Sequence, residues 1–418
     1  MKRISTRMML SVLMSMMGAN AFAQDIEMEN SQGMKIYYEY CNDGRELSVC
    51  RNKKSSGRSY SGDVVIPEEV IYMNRVRKVT AISYEAFTSC LGVTSVTLPS
   101  SMKTIGVEAF ATCENLKSIT IPEGVTSIGR QAFYNCQSLT AITIPGSVKN
   151  IGDEAFKNCQ NLSSITLSEG VQGIGGGAFS GCGKLSTVTI PNSVTYIGAY
   201  AFAYSGLASV TIGNGVKEIK STFERCRRLT SVNIPNGVTK IHGAFYGCSN
   251  LSSVTIPSSV TVVTSGSFAD CEKLTAVHVS DLAAWCKIDF QKSAAQMSSN
   301  PLKYAHKLYL NGTEIQDLVI PEGVTDIRRL TFPWCNFNSV TIPKSITNIY
   351  EYAFWNTNIT NIYCKIANPT KIYGKNSDSK VFSTDTFNNA SLFVPAGTMG
   401  KYKATDGWKD FIFIEEAK

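Results

Sequence analysis

The stretch Ile119–Ile142, ITIPEGVTSIGRQAFYNCQSLTAI, recurs along the chain, and that recurrence leaves few folds open. Its copies align on one phenylalanine, found at Phe87, Phe110, Phe133, Phe156, Phe179, Phe202, Phe223, Phe245, Phe268, Phe332 and Phe354. The intervals are 21 to 23 residues, except the longer one from Phe268 to Phe332. A period of this size marks a solenoid, because one such unit cannot bury its apolar face alone and must share a core with the units stacked on it. The sequence therefore predicts a mainly β repeat solenoid of about eleven rungs.

Each copy carries apolar residues at fixed offsets, for example Ile119, Ile121, Val125, Ile128, Ala132, Phe133 and Leu139. The alternation Ile119-Thr120-Ile121 has the period of a half-buried strand, since successive side chains point to opposite faces. A proline then closes the pairing segment, as at Pro99, Pro122, Pro145, Pro191, Pro235, Pro257, Pro321 and Pro343, because it has no N–H to donate. The glycines at Gly106, Gly129, Gly152, Gly175 and Gly198 are expected to supply a turn conformation that a side chain would oppose. The residue between the strand isoleucines faces outward: Thr97, Thr120, Thr143, Thr166, Thr189 and Thr211, then Asn233, Thr255, His278, Val319 and Thr341. With Ser95, Ser118, Ser164, Ser209, Ser231, Ser253 and Ser339 two positions earlier, these form ladders of hydroxyls. Such ladders offer hydrogen bonds to a polar ligand such as a glycan, although threonine also favours exposed strands in its own right.

The pattern Leu, Ile-x-Ile-Pro, Val, Ile-Gly, Ala-Phe and Cys resembles the BspA-like leucine-rich repeats of surface proteins from host-associated bacteria, over roughly residues 63 to 362. That resemblance implies a right-handed, β-lined solenoid used for binding and adhesion, without catalysis. Ser205 and Thr357 replace the repeat cysteine, Ser168 and Gly213 replace the proline, and Phe223 and Phe245 sit one residue closer to the preceding isoleucine. These departures imply local irregularity within the same fold.

Before the repeats, residues 1–23 pair Lys2, Arg3 and Arg7 with an apolar run from Met8 to Met17 and an Ala21-Phe22-Ala23 cleavage site. That is the pattern of a secretory signal peptide, its apolar run too short to span a bilayer, so the mature chain is expected to begin near Gln24. Residues 24–62 read as an N-terminal β cap built on a hairpin at Asp43-Gly44, which would pair Cys41 with Glu46. The basic, serine-rich run from Arg51 to Arg58 reads as a surface loop. Repeats then fill residues 63–280 and 318–362. Between them, residues 281–317 form an insertion that should project from the solenoid, with Asp281 capping a short helix through Trp285 and a hairpin turning at Asn311-Gly312. Trp285 is expected to anchor it. Residues 363–418, with SLFVPAG, Tyr402, Gly407-Trp408 and a final apolar strand Phe411 to Ile414, form a C-terminal cap similar to that of the family.

Of the 13 cysteines, Cys90, Cys113, Cys136, Cys159, Cys182, Cys226, Cys248, Cys271 and Cys335 each follow the repeat phenylalanine by three residues. They should form a stack about one rung apart, too far for the roughly 3.8 Å between Cβ atoms that a disulfide prefers, and so read as small buried hydrophobes. Ligands strung out in this way cannot converge tetrahedrally on zinc.

Without the three basic residues of the leader, 37 Lys and Arg face 33 Asp and Glu, a net charge of +4 that lacks the concentrated basic face of a nucleic-acid binder. The histidines, His242, His278 and His306, lie in no HExxH, and neither a GxSxG elbow nor a phosphate loop is present. The sequence thus predicts no catalytic residues, no metal and no cofactor, and no transmembrane segment after the leader. The candidate contact residues are clustered aromatics: Trp334, Trp355, Tyr352 and Tyr350, with Phe337 nearby, and the set Tyr196, Tyr200 and Tyr204; packing under the insertion or the C-terminal cap is the alternative for them. The basic cluster Lys217, Lys220, Arg225, Arg227 and Arg228, diluted by Glu218 and Glu224, would attract an acidic partner. Two readings follow. One is an exported adhesion module at the bacterial surface or outside the cell, binding a host protein or glycan. The other is a structural or assembly protein of the cell envelope, in the periplasm or at the surface, binding the cell's own components. A hydrolase within the insertion has only His306 and scattered acids to draw on.

Overall fold

The structure, a computed structural model, describes residues 26–53, 59–291 and 299–417. The leader, the start of the mature chain near Gln24 and most of the Arg51–Arg58 loop lie outside the described residues. The chain divides into two compact units, one ending at Leu185 and the other beginning at Ser186.

The first unit is coiled from three-sided rungs. Short strands Arg75–Ile82, Thr104–Ile105, Ser127–Ile128, Asn150–Ile151 and Gly173–Ile174 stack in parallel as one ladder. Ser61–Val65, Gly92–Thr97 and Ser118–Ile119 stack as a second, and Ala141–Ile144 pairs with Ser164–Leu167 in the same way. Ile119, Ile128, Ile142 and Ile144 are buried, and Thr120, Thr143 and Thr166 stand outside, as period-two alternation requires. The third side has turns instead of strands, yet its backbone also pairs rung to rung: Phe110 N–H donates to the Ala132 carbonyl, Phe133 to Ala155 and Phe156 to Ala178, each at 2.7 Å. Inside, the rings of Phe87, Phe110, Phe133, Phe156 and Phe179 form one stack with centroids 4.8 to 5.2 Å apart. Tyr60 opens the stack at 4.4 Å from Phe87. Its hydroxyl donates to the Cys50 carbonyl at 2.7 Å and accepts from the Tyr37 N–H at 3.1 Å, tying the stack to the cap. That cap is the antiparallel set Ile26–Glu29, Lys35–Cys41 and Glu46–Cys50, in which Cys41 does face Glu46.

The structure corrects the role of the repeat glycines. Gly106, Gly129, Gly152 and Gly175 are not in the left-handed region. A Cβ on Gly129 would lie 2.6 Å from the Gly106 carbonyl carbon, and one on Gly152 2.4 Å from that of Gly129. Glycine is there because successive backbones approach too closely for a side chain. The left-handed residues flank each phenylalanine two positions before and after, as in Glu108 (φ 55°) and Thr112 (φ 58°). Their N–H groups donate to Arg130 and Tyr134 carbonyls at 2.9 and 2.7 Å, and these inter-rung bonds offset the unfavourable backbone.

The cysteines also do more than fill space. Repeat thiols reach the carbonyl of the phenylalanine one rung back: Cys113 to Phe87 at 3.0 Å, Cys136 to Phe110 at 3.2 Å, Cys159 to Phe133 at 3.1 Å and Cys182 to Phe156 at 3.3 Å. Burial pushes the Cys159 thiol up to about 12.

The second unit repeats this scheme. Its phenylalanine stack runs Phe202, Phe223, Phe245, Phe268 and resumes Phe332, Phe354, Phe382. The described residues of the insertion join the ladders instead of projecting. Leu308–Leu310 pairs in parallel with Ala276–Val279, and Asp289–Phe290 with Val262–Val263, because an unpaired strand edge is costly and the inserted segment satisfies it. Asp281 caps the helix Leu282–Cys286 by accepting from Ala284 N–H at 3.0 Å, and Leu310 pairs with Thr313 around Asn311-Gly312. Trp285 is buried, its indole N–H donating to the Thr331 carbonyl at 3.0 Å. Strands Ser391–Val394 and Phe413–Glu416 extend the outer ladder beyond the last repeat, so the last strand starts two residues later than expected. Phe411 is buried instead, packing with Phe382, Phe387 and Trp408 over the end of the stack. Rungs lacking the marker phenylalanine bring the solenoid to about 14 turns rather than eleven.

Candidate binding surface

The candidate aromatics mostly share one structural position. Tyr200 and Tyr204 flank Phe202, Trp334 follows Phe332 by two residues, and Tyr352 precedes Phe354 by two. All four are therefore left-handed, with φ of 62°, 57°, 60° and 60°. Bulky side chains rarely adopt this conformation. Tyr200 and Tyr204 are 48% and 52% exposed on the turn edge of a single rung, with Tyr196 more open still on its strand.

Arg225 is the left-handed residue of the following rung, so stacking sets it beside Tyr204. Its guanidinium carbon lies 5.5 Å from the Tyr204 ring centre and 5.7 Å from that of Tyr246. The charge is thus held between two rings by cation–π attraction. Arg227, Arg228, Lys217 and Lys220 are exposed, Lys240 pairs with Glu218 at 3.1 Å, and burial raises the Glu224 carboxyl above its usual range. The sequence named the basic residues and the tyrosines separately. Their union at Arg225, and the part of Tyr246, came only from rung stacking, though both residues sit beside a repeat phenylalanine and were open to that inference.

The late aromatics separate. Trp334 and Trp355 meet edge-on at 5.4 Å, with Tyr352 edge-on to Trp355 at 6.1 Å. Tyr352 is only 6% exposed and its hydroxyl donates to the Asp378 carbonyl at 2.6 Å, so it ties the C-terminal segment down. Trp334 and Trp355 are half-buried, and His306 Nδ1 lies 3.1 Å from the Trp334 carbonyl. Phe337 is buried. Tyr350, 45% exposed, follows the strand Asn348–Ile349 and lines a cleft apart from the tryptophans. His278 packs against Tyr309, the rings tilted by 31° with centroids 4.8 Å apart. Among the described residues, no group of three or more His, Cys, Asp or Glu is placed to hold a metal, and no helix is long and apolar enough to cross a membrane.

The family description BspA type Leucine rich repeat region matches six copies, over residues 80–207, 195–294 and 305–392. No curated protein matches the chain. Among solved structures it is similar to a leucine-rich repeat protein of Bacteroides ovatus, at 23% identity over 92% of this chain and 98% of that one, with a TM-score of 0.40. It is also similar to the pneumococcal vaccine antigen PcpA, at 16% identity over 94% and 99% of the two chains (TM-score 0.42). A leucine-rich cell surface protein of Faecalibacterium prausnitzii matches at 22% identity over 65% of this chain and 99% of its own (TM-score 0.33).

Proposed function

Because the chain belongs to the family of BspA-type leucine-rich repeat proteins, we propose that it is an exported, non-catalytic binding module that engages a protein at the bacterial surface through the turn edge bearing Tyr200, Tyr204 and Arg225. Leucine-rich solenoids are binding scaffolds whose repeated surface gives extended contact. One observation carries the choice of edge. In other rungs the left-handed positions are held by glycine, as at Gly177, Gly181, Gly243 and Gly247, or mostly by polar residues such as Glu108 and Thr112, whereas this rung places two exposed aromatics there. Tyrosine there costs about 1–2 kcal/mol of backbone strain without burying its ring. Exposed Tyr beside a pre-set Arg is the composition of an interface hot spot. The basic leader of residues 1–23 supports export.

The test presents the purified mature chain to matrix proteins, mucins and bacterial envelope proteins. The Tyr200→Ser/Tyr204→Ser variant should bind at least about tenfold more weakly, as truncated hot spots do, with unchanged thermal unfolding. Equal binding by the variant, or no partner in the panel, would reject the proposal. Protease treatment of intact cells separates its two settings. Cleavage beside a protected periplasmic control supports a surface adhesin, whereas protection with co-purifying envelope components supports the assembly reading.

A further inference from the structure

Among the described residues, one ladder of the second unit breaks where the insertion interrupts the repeat. One ladder runs Glu218–Lys220, Lys240–His242, Val262–Val263 and Asp289–Phe290, and the next begins at Asp326–Ile327 with Asn348–Ile349. At the break lies an open cleft of about 680 Å³, within the size range of small-ligand sites. Alternation aims the residues on either side of each buried strand residue outward. Asp289 and Gln291 thus flank Phe290, Asp326 and Arg328 flank Ile327, and Asn348 and Tyr350 flank Ile349.

The last residue of each trio stands in the slot that close backbone approach reserves for glycine in the first unit, at Gly106, Gly129, Gly152 and Gly175. In the second unit Gly198 keeps that slot, and from Lys220 onward it carries side chains: Lys220, His242 and Thr264, then Gln291, Arg328 and Tyr350 around the cleft. The loss of glycine begins before the cleft, and only where the ladder breaks do these side chains line an open space.

Some of the lining is already engaged. Arg329 Nε bonds Glu351 Oε1 at 2.9 Å. Asp326 accepts from Thr325 Oγ1 at 2.7 Å and Asn348 Nδ2 at 2.8 Å. The Thr331 hydroxyl donates to the Arg328 carbonyl at 2.6 Å and pins the backbone there. What remains to meet a ligand is the Asp289 carboxylate, the Gln291 amide, the Arg328 guanidinium and the Tyr350 ring.

These groups offer fixed planar donors and acceptors in near balance beside one aromatic wall. Two guanidiniums against three carboxylates repel a polyanion and give a simple cation no cluster of ligands. A polyol, whose vicinal hydroxyls donate and accept at once, satisfies both sets, and the apolar face of a sugar ring suits the tyrosine. We infer that this cleft binds a neutral saccharide, separately from the protein-binding edge at Tyr200 and Tyr204.

Isothermal titration of the full mature chain with cello-, malto-, xylo- and chito-hexaose, with heparin as an anionic counter-probe, tests this. At least one neutral hexaose should bind, and Asp289→Asn and Arg328→Ala should each weaken it about tenfold or more. The Tyr200→Ser/Tyr204→Ser variant should bind it like the parent, so failure of the edge and failure of the cleft are told apart. Both cleft substitutions are at partly or fully exposed side chains, and unchanged thermal unfolding confirms that each variant folds. Binding to heparin alone, to no hexaose, or equally to parent and cleft variants overturns the inference; the last outcome would place the sugar on the hydroxyl ladders instead.

Discussion

At the residue scale, each repeat position answers to a neighbour one rung away. Gly129→Ala should cost about 1–3 kcal/mol, because its methyl group meets Gly106 backbone that cannot yield. Glu108→Gly should instead stabilise by up to about 1 kcal/mol, since it relieves a left-handed φ. Urea titrations of the two variants should shift in opposite directions; equal destabilisation would show that glycine serves the turn after all. The thiols give a pH signature. Burial holds Cys159 and Cys271 up to about 12 and Cys226 up to about 11, against an ordinary 9.0. Above pH 9 the unfolded chain sheds these protons while the folded one keeps them, so stability should fall as pH rises from about 9 to 12. Below pH 9 these groups contribute no slope. Urea midpoints at pH 8, 9, 10 and 11 check the sign, and midpoints that hold steady to pH 11 would contradict it.

At the scale of elements, the phenylalanine stack and the end caps set the stability. Phe156 lies between Phe133 at 5.0 Å and Phe179 at 5.2 Å, fully buried. Phe156→Ala should cost about 3–5 kcal/mol, and Phe156→Leu less, because leucine refills volume but loses the ring contacts. Chemical denaturation ranks the two, and similar losses would mean that stacking, not volume, dominates. Removing residues 413–418 would move the end of the sheet from Phe413–Glu416, guarded by Glu415 and Glu416, to the more apolar Ser391–Val394. The exposed edge should then drive self-association, visible by light scattering; a monomer as stable as the full chain would show that the final strand is dispensable.

At the scale of the whole molecule, length comes from repetition, and the proposed binding surfaces lie where the chain departs from it. The hydroxyl-bearing strands are nearly uniform, whereas Tyr200, Tyr204 and Arg225 replace glycine-compatible positions and Gln291, Arg328 and Tyr350 replace glycine itself. If both surfaces work as argued, the parent chain should bind a protein partner and a neutral hexaose together. Titrating the sugar into the preformed protein complex should give the affinity seen without the partner, and mutual exclusion would show that they compete for one site.

The sequence by itself determined the period, the buried and exposed faces, the cysteine column, the Cys41–Glu46 register, the Asp281 cap and the turn at Asn311-Gly312. These rest on local periodicity and turn chemistry, which act over a few residues. The tertiary structure alone decided why glycine recurs, where the backbone turns left-handed, how the insertion joins the ladders and which aromatics stay exposed. Many strands, such as Ser127–Ile128, are two residues long and exist because the rungs on either side pair with them. Tyr352 and Tyr200 occupy equivalent left-handed positions, yet one is covered by the C-terminal segment and the other is open. That difference depends on chain about 26 residues away (Asp378 for Tyr352), beyond the reach of any local pattern.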